Sequence, residues 1–263
     1  MRRITIDNTN LSVSRISFGT GSLHHCLRRA TRLRLLDAAF SAGVTHFDTS
    51  PYYGFGVAES DLGEFLHGKR DRVTVATKIG LYSPGASTPS ILSVWRRKLA
   101  GKFYPQIAEP RIDWTLEAAE KSLAASLKRC RTDYVDILFF HEPIQHMICV
   151  DAFVDWLGTQ RAAGKIRHWG IAGSGPCVKH WSSTEHPLST IIQTKDSLDG
   201  GEADFVRNAG RKLQFTYGYM NGPESARPEN RTIRQALDRN PDGSVVMSTR
   251  RLERVYQLAD IDG

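Results

Sequence analysis

Asp48, Tyr53, Lys78 and His141 are the residues of this chain whose types and places could do chemistry together. Tyr53 follows Asp48 by five positions in Thr45-His46-Phe47-Asp48-Thr49-Ser50-Pro51-Tyr52-Tyr53-Gly54, and Lys78 and His141 each close a later apolar run. All four stand where a short β-like stretch passes into a loop, so they could converge on one rim. Delivering a proton to an oxygen as hydride arrives at carbon is a reaction that would suit such a set. Phenol alone is a poor acid, with a reference pKa of about 10. A lysine ammonium beside it is expected to lower that value, Asp48 to hold the lysine charged, and His141 to orient a substrate oxygen or share the proton traffic. Such a relay requires no metal. Singly, each residue has a plainer reading: Lys78 as a solvated strand end, His141 as a packed core histidine, Asp48 as a cap of the following turn and Tyr53 as structural.

The elements that must position these groups alternate. Short β-branched or aromatic runs at Arg15 to Gly19, Thr45 to Thr49, Val73 to Lys78, Tyr134 to Phe140, Ile166 to Ala172, Thr190 to Thr194, Lys212 to Tyr217 and Ser244 to Ser248 read as strands. Helical patterns lie between them. In Thr115 to Arg129, Leu116, Ala119, Leu123 and Leu127 recur at helical spacing, and Asp113 or Thr115 could cap the start. Eight such repeats predict a closed (β/α)8 barrel, whose chemistry sits beyond the C-terminal ends of its strands. An open doubly wound sheet would want G-x-G-x-x-G after the first strand; Phe18-Gly19-Thr20-Gly21-Ser22 has its glycines at another spacing. The opening stretch Arg3 to Val13, turning at Asp7-Asn8-Thr9-Asn10, predicts a β-hairpin closing the barrel floor. One long connection breaks the rhythm between Ile79 and Asp113, with a helical piece around Leu92 to Leu99. It reads either as a substrate wall or as a surface excursion.

Composition sets outer bounds. The chain has 263 residues, 40% hydrophobic and 24% charged, which suits one globular barrel domain of about 250 residues. No apolar run approaches the roughly 18 residues that cross a bilayer, and the start carries no secretory signal. Cys26, Cys130, Cys149 and Cys177 form no C-x-x-C pair, so neither a disulfide framework nor a zinc site is expected. A cytoplasmic protein is the resulting expectation. The net charge of +7 admits an anionic partner, with basic clusters at Arg28 to Arg34, Arg96 to Lys102, Lys128 to Arg131 and Arg250 to Arg254. These clusters lack the interleaved aromatics of a nucleic-acid surface, and a phosphorylated small molecule needs only one of them.

Ala42-Gly43-Val44-Thr45-His46-Phe47-Asp48-Thr49-Ser50-Pro51-Tyr52-Tyr53-Gly54 with Glu59, then Thr77-Lys78-Ile79-Gly80, then Leu138-Phe139-Phe140-His141-Glu142-Pro143, resembles the signature of the aldo-keto reductases in order and spacing. The likeness runs from about Arg15 to Leu258. It implies a (β/α)8 barrel with a nicotinamide cofactor extended across its top, Gly19 closing the first strand there, and Tyr53 as general acid/base supported by Asp48, Lys78 and His141. It also implies that Gln193 meets the nicotinamide carboxamide and that Tyr217 stacks on the ring. Where the family usually has Ser-Asn this chain has Ala172-Gly173, and Ser174 is the substitute in reach.

Beyond the eighth strand, Ser248-Thr249-Arg250-Arg251-Leu252-Glu253-Arg254 leads into a helix, so backbone N–H groups and guanidinium groups could meet a phosphate. By resemblance Arg254 falls at the arginine for the adenosine 2′-phosphate, while Ser248 stands for a frequent lysine and Leu258 for a frequent asparagine. NADP(H) is the favoured cofactor and NAD(H) the other. The expected activity is hydride transfer between nicotinamide and an aldehyde, ketone or sugar, leaning toward the aldose 1-dehydrogenase side of the family. The chain end soon after the last helix points to a bulky or polar substrate. The alternative is an idle nucleotide-binding barrel serving as a regulatory or interaction subunit. Oligomeric state is left open.

Overall fold

The computed structural model describes residues 1–82, 90–91, 94–96, 109–182, 186–220 and 228–261. The chain opens with an antiparallel pair, β1 (Arg3–Thr5) and β2 (Ser12–Ser14). Then come the barrel strands β3 (Ile16–Gly19), β4 (His46–Asp48) and β5 (Thr74–Ile79). A short antiparallel pair follows, β6 (Leu81–Tyr82) with β7 (Arg111–Ile112), before β8 (Val135–His141), β9 (Ile166–Gly173), β10 (Ile191–Lys195), β11 (Phe215–Tyr217) and β12 (Ser244–Met247). The eight long-range neighbours pair in parallel in chain order, and β12 returns to β3, closing the barrel. Each expected strand falls within a few residues of its observed span.

Around the barrel stand α1 (Arg29–Ser41), α2 (Val57–Phe65), α3 (Leu116–Cys130), α4 (Val150–Ala162), α5 (Gly175–Lys179), α6 (Asp204–Asn208), α7 (Glu229–Arg239) and α8 (Leu252–Ile261). Thr115 caps α3 by accepting from the Ala118 N–H, and Asp113 in turn holds the Thr115 N–H and hydroxyl. Both caps read from the sequence are therefore used. Leu116, expected on the buried face, is exposed, and the face that packs is made largely of small residues, Ala119, Ser122 and Ser126 with Leu123.

Small residues there let α2 and α3 approach closely. A Cβ on Gly63 of α2 would stand 2.3 Å from the Arg129 carbonyl oxygen. Gly63→Ala gains about 1 kcal/mol of helix propensity, yet overpacking against backbone should outweigh it and cost about 2 kcal/mol net. A lowered thermal midpoint is the expected result; an unchanged or higher one would show that the helices can part freely.

Strand alternation divides the core in two. Phe47, Val75, Leu138, Phe140 and Ile192 point outward into the layer beneath the helices, while Ala76, Ile137, Phe139, Ile191 and Phe215 fill the barrel. Ile6, Leu11 and Val13 of the opening hairpin belong to that inner cluster, and the Gln214 amide donates to the Asp7 carbonyl. The hairpin closes the floor, as the sequence pattern predicts.

Members of two of the basic clusters meet carboxylates of α2. Arg32 and Arg29 bind Asp61, Arg129 binds the fully buried Glu59, and Arg131 binds Glu64. Glu59 also accepts from Thr77 Oγ1 at 2.7 Å, tying α2 to the back of β5. Most of the helical piece expected at Leu92 to Leu99 lies outside the described residues, as does most of the Arg96 to Lys102 cluster.

Candidate active site

The same alternation that buries Phe47 sends Asp48 inward, and it does so at the C-terminal end of β4. Lys78 and His141 take inward positions at the ends of β5 and β8, and Gln193 and Tyr217 on β10 and β11. Parallel register then brings them level: Gly19 pairs with Asp48, Lys78 with Phe139, His141 with Ala172 and Gln193 with the same Ala172. Tyr53 comes from the turn after β4. Gly54 has φ of +60°, and a Cβ there would lie 2.5 Å from the His24 Cβ, so glycine is required for the chain to turn behind the phenol.

Lys78 Nζ donates to both Asp48 oxygens, at 2.6 and 2.8 Å, and to the Thr49 carbonyl at 2.9 Å. Gln193 Nε2 donates to Asp48 Oδ1 at 3.1 Å. The ammonium lies 4.9 Å from the Tyr53 ring centroid, and the His141 ring meets the same ring edge-on at 6.0 Å. His141 Nδ1 is 3.4 Å from Ser50 Oγ. Four groups from three parts of the sequence thus form one constellation, with an ion pair whose two members are almost wholly buried.

Burial governs their protonation. The Tyr53 phenol is pushed well above its ordinary range by loss of solvent and by the negative charges of Asp48 and Glu142. This corrects the expectation that Lys78 would lower it: burial is the largest cause, and the two carboxylates reinforce it. Burial also lowers Lys78, against the opposing pull of Asp48. His141 is held well below the usual imidazole range by burial and by Lys78, so at neutral pH it is an uncharged hydrogen-bonding group.

Asp48, Tyr53, Lys78 and His141 line one cavity of about 340 Å³, and Gly19, Gln193, Tyr217 and Ser248 share its walls. A smaller hollow adjoins it, lined by Thr249 and Arg254 and having Met220, Met247 and Ser248 in common with the first. The two form a trough across the barrel top. Ser248 Oγ is hydrogen-bonded to Ser22 Oγ at 2.6 Å, and Thr249 Oγ1 accepts from the Arg251 N–H. Arg250 is exposed and lines neither hollow.

Two expected contacts look different in the structure. The Ser174 hydroxyl, the substitute for the missing Ser-Asn pair, is spent on Glu142 Oε2 at 3.0 Å. Arg254 is ion-paired with Glu229 of α7. Neither carboxylate was singled out from the sequence. Glu142 adjoins His141 in a quoted motif and could have been noticed, whereas Glu229 lies far from Arg254 along the chain and no spacing announces the pair.

The structure is thus a closed parallel barrel with a buried Asp–Lys pair, a phenol and an imidazole at its C-terminal mouth. Residues 15–190 match the Aldo/keto reductase family, and the chain belongs to that family. It is 32% identical over 171 residues to D-threo-aldose 1-dehydrogenase of a Pseudomonas species, covering 61% of this chain and 50% of that protein. It is 31% identical over 209 residues to L-galactose dehydrogenase of Arabidopsis thaliana, covering 76% of this chain and 54% of the relative. The chain thus spans about half the length of the curated relatives it matches. Its fold superposes on an aldo-keto reductase from Klebsiella pneumoniae in complex with NADPH with TM-score 0.67, at 20% identity, covering 99% of this chain and 90% of that one.

Proposed function

We propose that this chain is an NADP(H)-dependent oxidoreductase acting between a carbonyl and an alcohol, with an aldehyde, ketone or aldose as substrate. The observation that carries the reading is the Lys78–Asp48 clamp beside the Tyr53 ring, on the wall of the larger cavity. Two of the relatives bear the names of sugar dehydrogenases, which supports the aldose side.

The residues present fit a dinucleotide. The trough has Tyr53 on the wall of its larger part and Arg254 on that of its smaller part, and Gly19, Gly21 and Gly218 border the larger. A Cβ on Gly21 would stand 3.6 Å from the Tyr53 ring and fill the space beside it. Gln193 and Tyr217 would hold the nicotinamide, and Ser248, Thr249 and Arg254 the adenosine end. When bound, the cofactor supplies or accepts hydride.

What the chain does is bind, orient and move a proton. Tyr53 holds its proton firmly and donates it to the carbonyl oxygen as negative charge develops there. The phenolate that forms faces the Lys78 ammonium, kept in place by Asp48 and the Thr49 carbonyl. Neutral His141 fixes the substrate oxygen by a hydrogen bond. In alcohol oxidation the same groups work in reverse.

Following nicotinamide absorbance with NADPH and NADH against a panel of aldehydes, ketones and aldoses tests the proposal. Turnover of at least one class is expected; saturable cofactor binding with no turnover across the panel would favour a binding subunit instead. The Glu229 carboxylate competes with any 2′-phosphate for Arg254. Glu229→Gln should therefore tighten NADPH about tenfold relative to NADH. Equal changes for the two cofactors would place the phosphate elsewhere.

A further inference from the structure

Glu142 is a carboxylate set behind the wall of the cavity, against Gly173, which lines it. Its backbone takes the left-handed conformation, with φ of +51°, and its N–H donates to the Ala172 carbonyl at 2.7 Å. This turn swings the side chain back over the end of β9. There the carboxylate accepts from the Ser174 N–H at 3.0 and 3.1 Å and from the Ser174 hydroxyl at 3.0 Å. The place it fills is the one a side chain at position 173 would take, since a Cβ on Gly173 would come within 2.8 Å of Glu142 Oε2. Gly173 itself lines the larger cavity between His141 and Gln193, so only a backbone without a side chain separates the charge from the cavity.

The charge at that wall is uncompensated. Its Ser174 donors are neutral, and among the described residues Glu142 enters no ion pair. Asp48 is different, because Lys78 neutralises it. His141 is neutral as well. The electrostatic reach of Glu142 extends to the phenols on both sides of the cavity, contributing to the upward push on Tyr53 and on Tyr217.

Resting on the cofactor reading above, we infer that Glu142 sets the relative hold of this chain on oxidised and reduced nicotinamide, through a fixed negative charge behind Gly173. The oxidised ring is a cation and the reduced ring is neutral. A carboxylate beside the nicotinamide end therefore binds the oxidised form preferentially. Glu142 touches neither substrate nor reacting atoms; it acts through the field it places on them. In the reduction direction the ring gains positive charge as hydride departs, so the same charge favours hydride donation. Tyr53, kept protonated in part by the same carboxylate, is the acid that direction needs.

The test is a tryptophan-fluorescence titration of wild type, Glu142→Gln and Ser174→Ala with NADP⁺ and NADPH. Gln is isosteric and still accepts from Ser174, so the wall is kept while the charge is lost. The Kd ratio of NADP⁺ to NADPH should rise about tenfold in Glu142→Gln, as expected for one charge removed at short range in a partly solvated site. In Ser174→Ala, which keeps the charge and loses one hydrogen bond, the ratio should stay as in wild type. A rise in both variants alike would make the effect structural and overturn the inference. So would an unchanged ratio in Glu142→Gln while both forms bind, and the cofactor reading would then survive. Failure of wild type to bind either form would overturn the cofactor reading, and this inference with it.

Discussion

Tyr53→Phe should lower turnover by roughly 10²–10⁴-fold while leaving cofactor affinity and thermal stability close to wild type. The substitution removes one oxygen at the cavity wall and keeps the ring that packs edge-on against His141 and lies beside the Lys78 ammonium. That oxygen is the proton source in the proposed reaction. Water is a poor replacement, since it lacks the fixed position next to Lys78 that stabilises the conjugate base. The measurement is single-turnover hydride transfer alongside a binding titration of the same preparation. Retention of more than about a tenth of the wild-type rate would remove Tyr53 from the role of general acid, given the size of effect such acids supply. A matched loss of binding and rate would instead indicate a positioning role.

Much of the barrel is legible because its determinants are local. Period-two alternation in Ile137, Phe139 and His141 against Leu138 and Phe140 tells which side chains share a face. The inward places of Asp48, Lys78, Gln193 and Tyr217 follow from where each apolar run stops. What periodicity does not encode is the partner of a side chain across the barrel. Glu229 meets Arg254 through the packing of two helices, and Glu142 meets Ser174 through a left-handed backbone at position 142. Charge counting has the same blindness. The clusters at Arg28 to Arg34 and Lys128 to Arg131 look like surface for an anion, yet Arg29, Arg32, Arg129 and Arg131 among them are paired with Asp61, Glu59 and Glu64. The phenol illustrates a further limit: its lysine neighbour was visible in the sequence, but the degree of burial that outweighs it is a property of the closed barrel.

Lys78→Met is expected to cost about 3–5 kcal/mol of stability and to abolish measurable turnover, because it leaves the Asp48 carboxylate buried without its ion. Asp48 is almost wholly enclosed, and Gln193 Nε2, its other side-chain donor, supplies only part of what the ammonium gave. The Thr49 carbonyl loses its donor too. If the cost comes from the stranded charge rather than from lost packing, then Asp48→Asn added to Lys78→Met should return about half of it, since a pair removed together leaves neither ion unpaired. Turnover should not return, because the phenolate would still lack its cation. Denaturant unfolding of the two single variants, the double variant and wild type closes the cycle. Additive losses of stability would show that Asp48 and Lys78 act independently. Recovery of both stability and turnover in the double variant would show that the pair serves folding alone, and that the proton relay proposed for Tyr53 needs no ammonium.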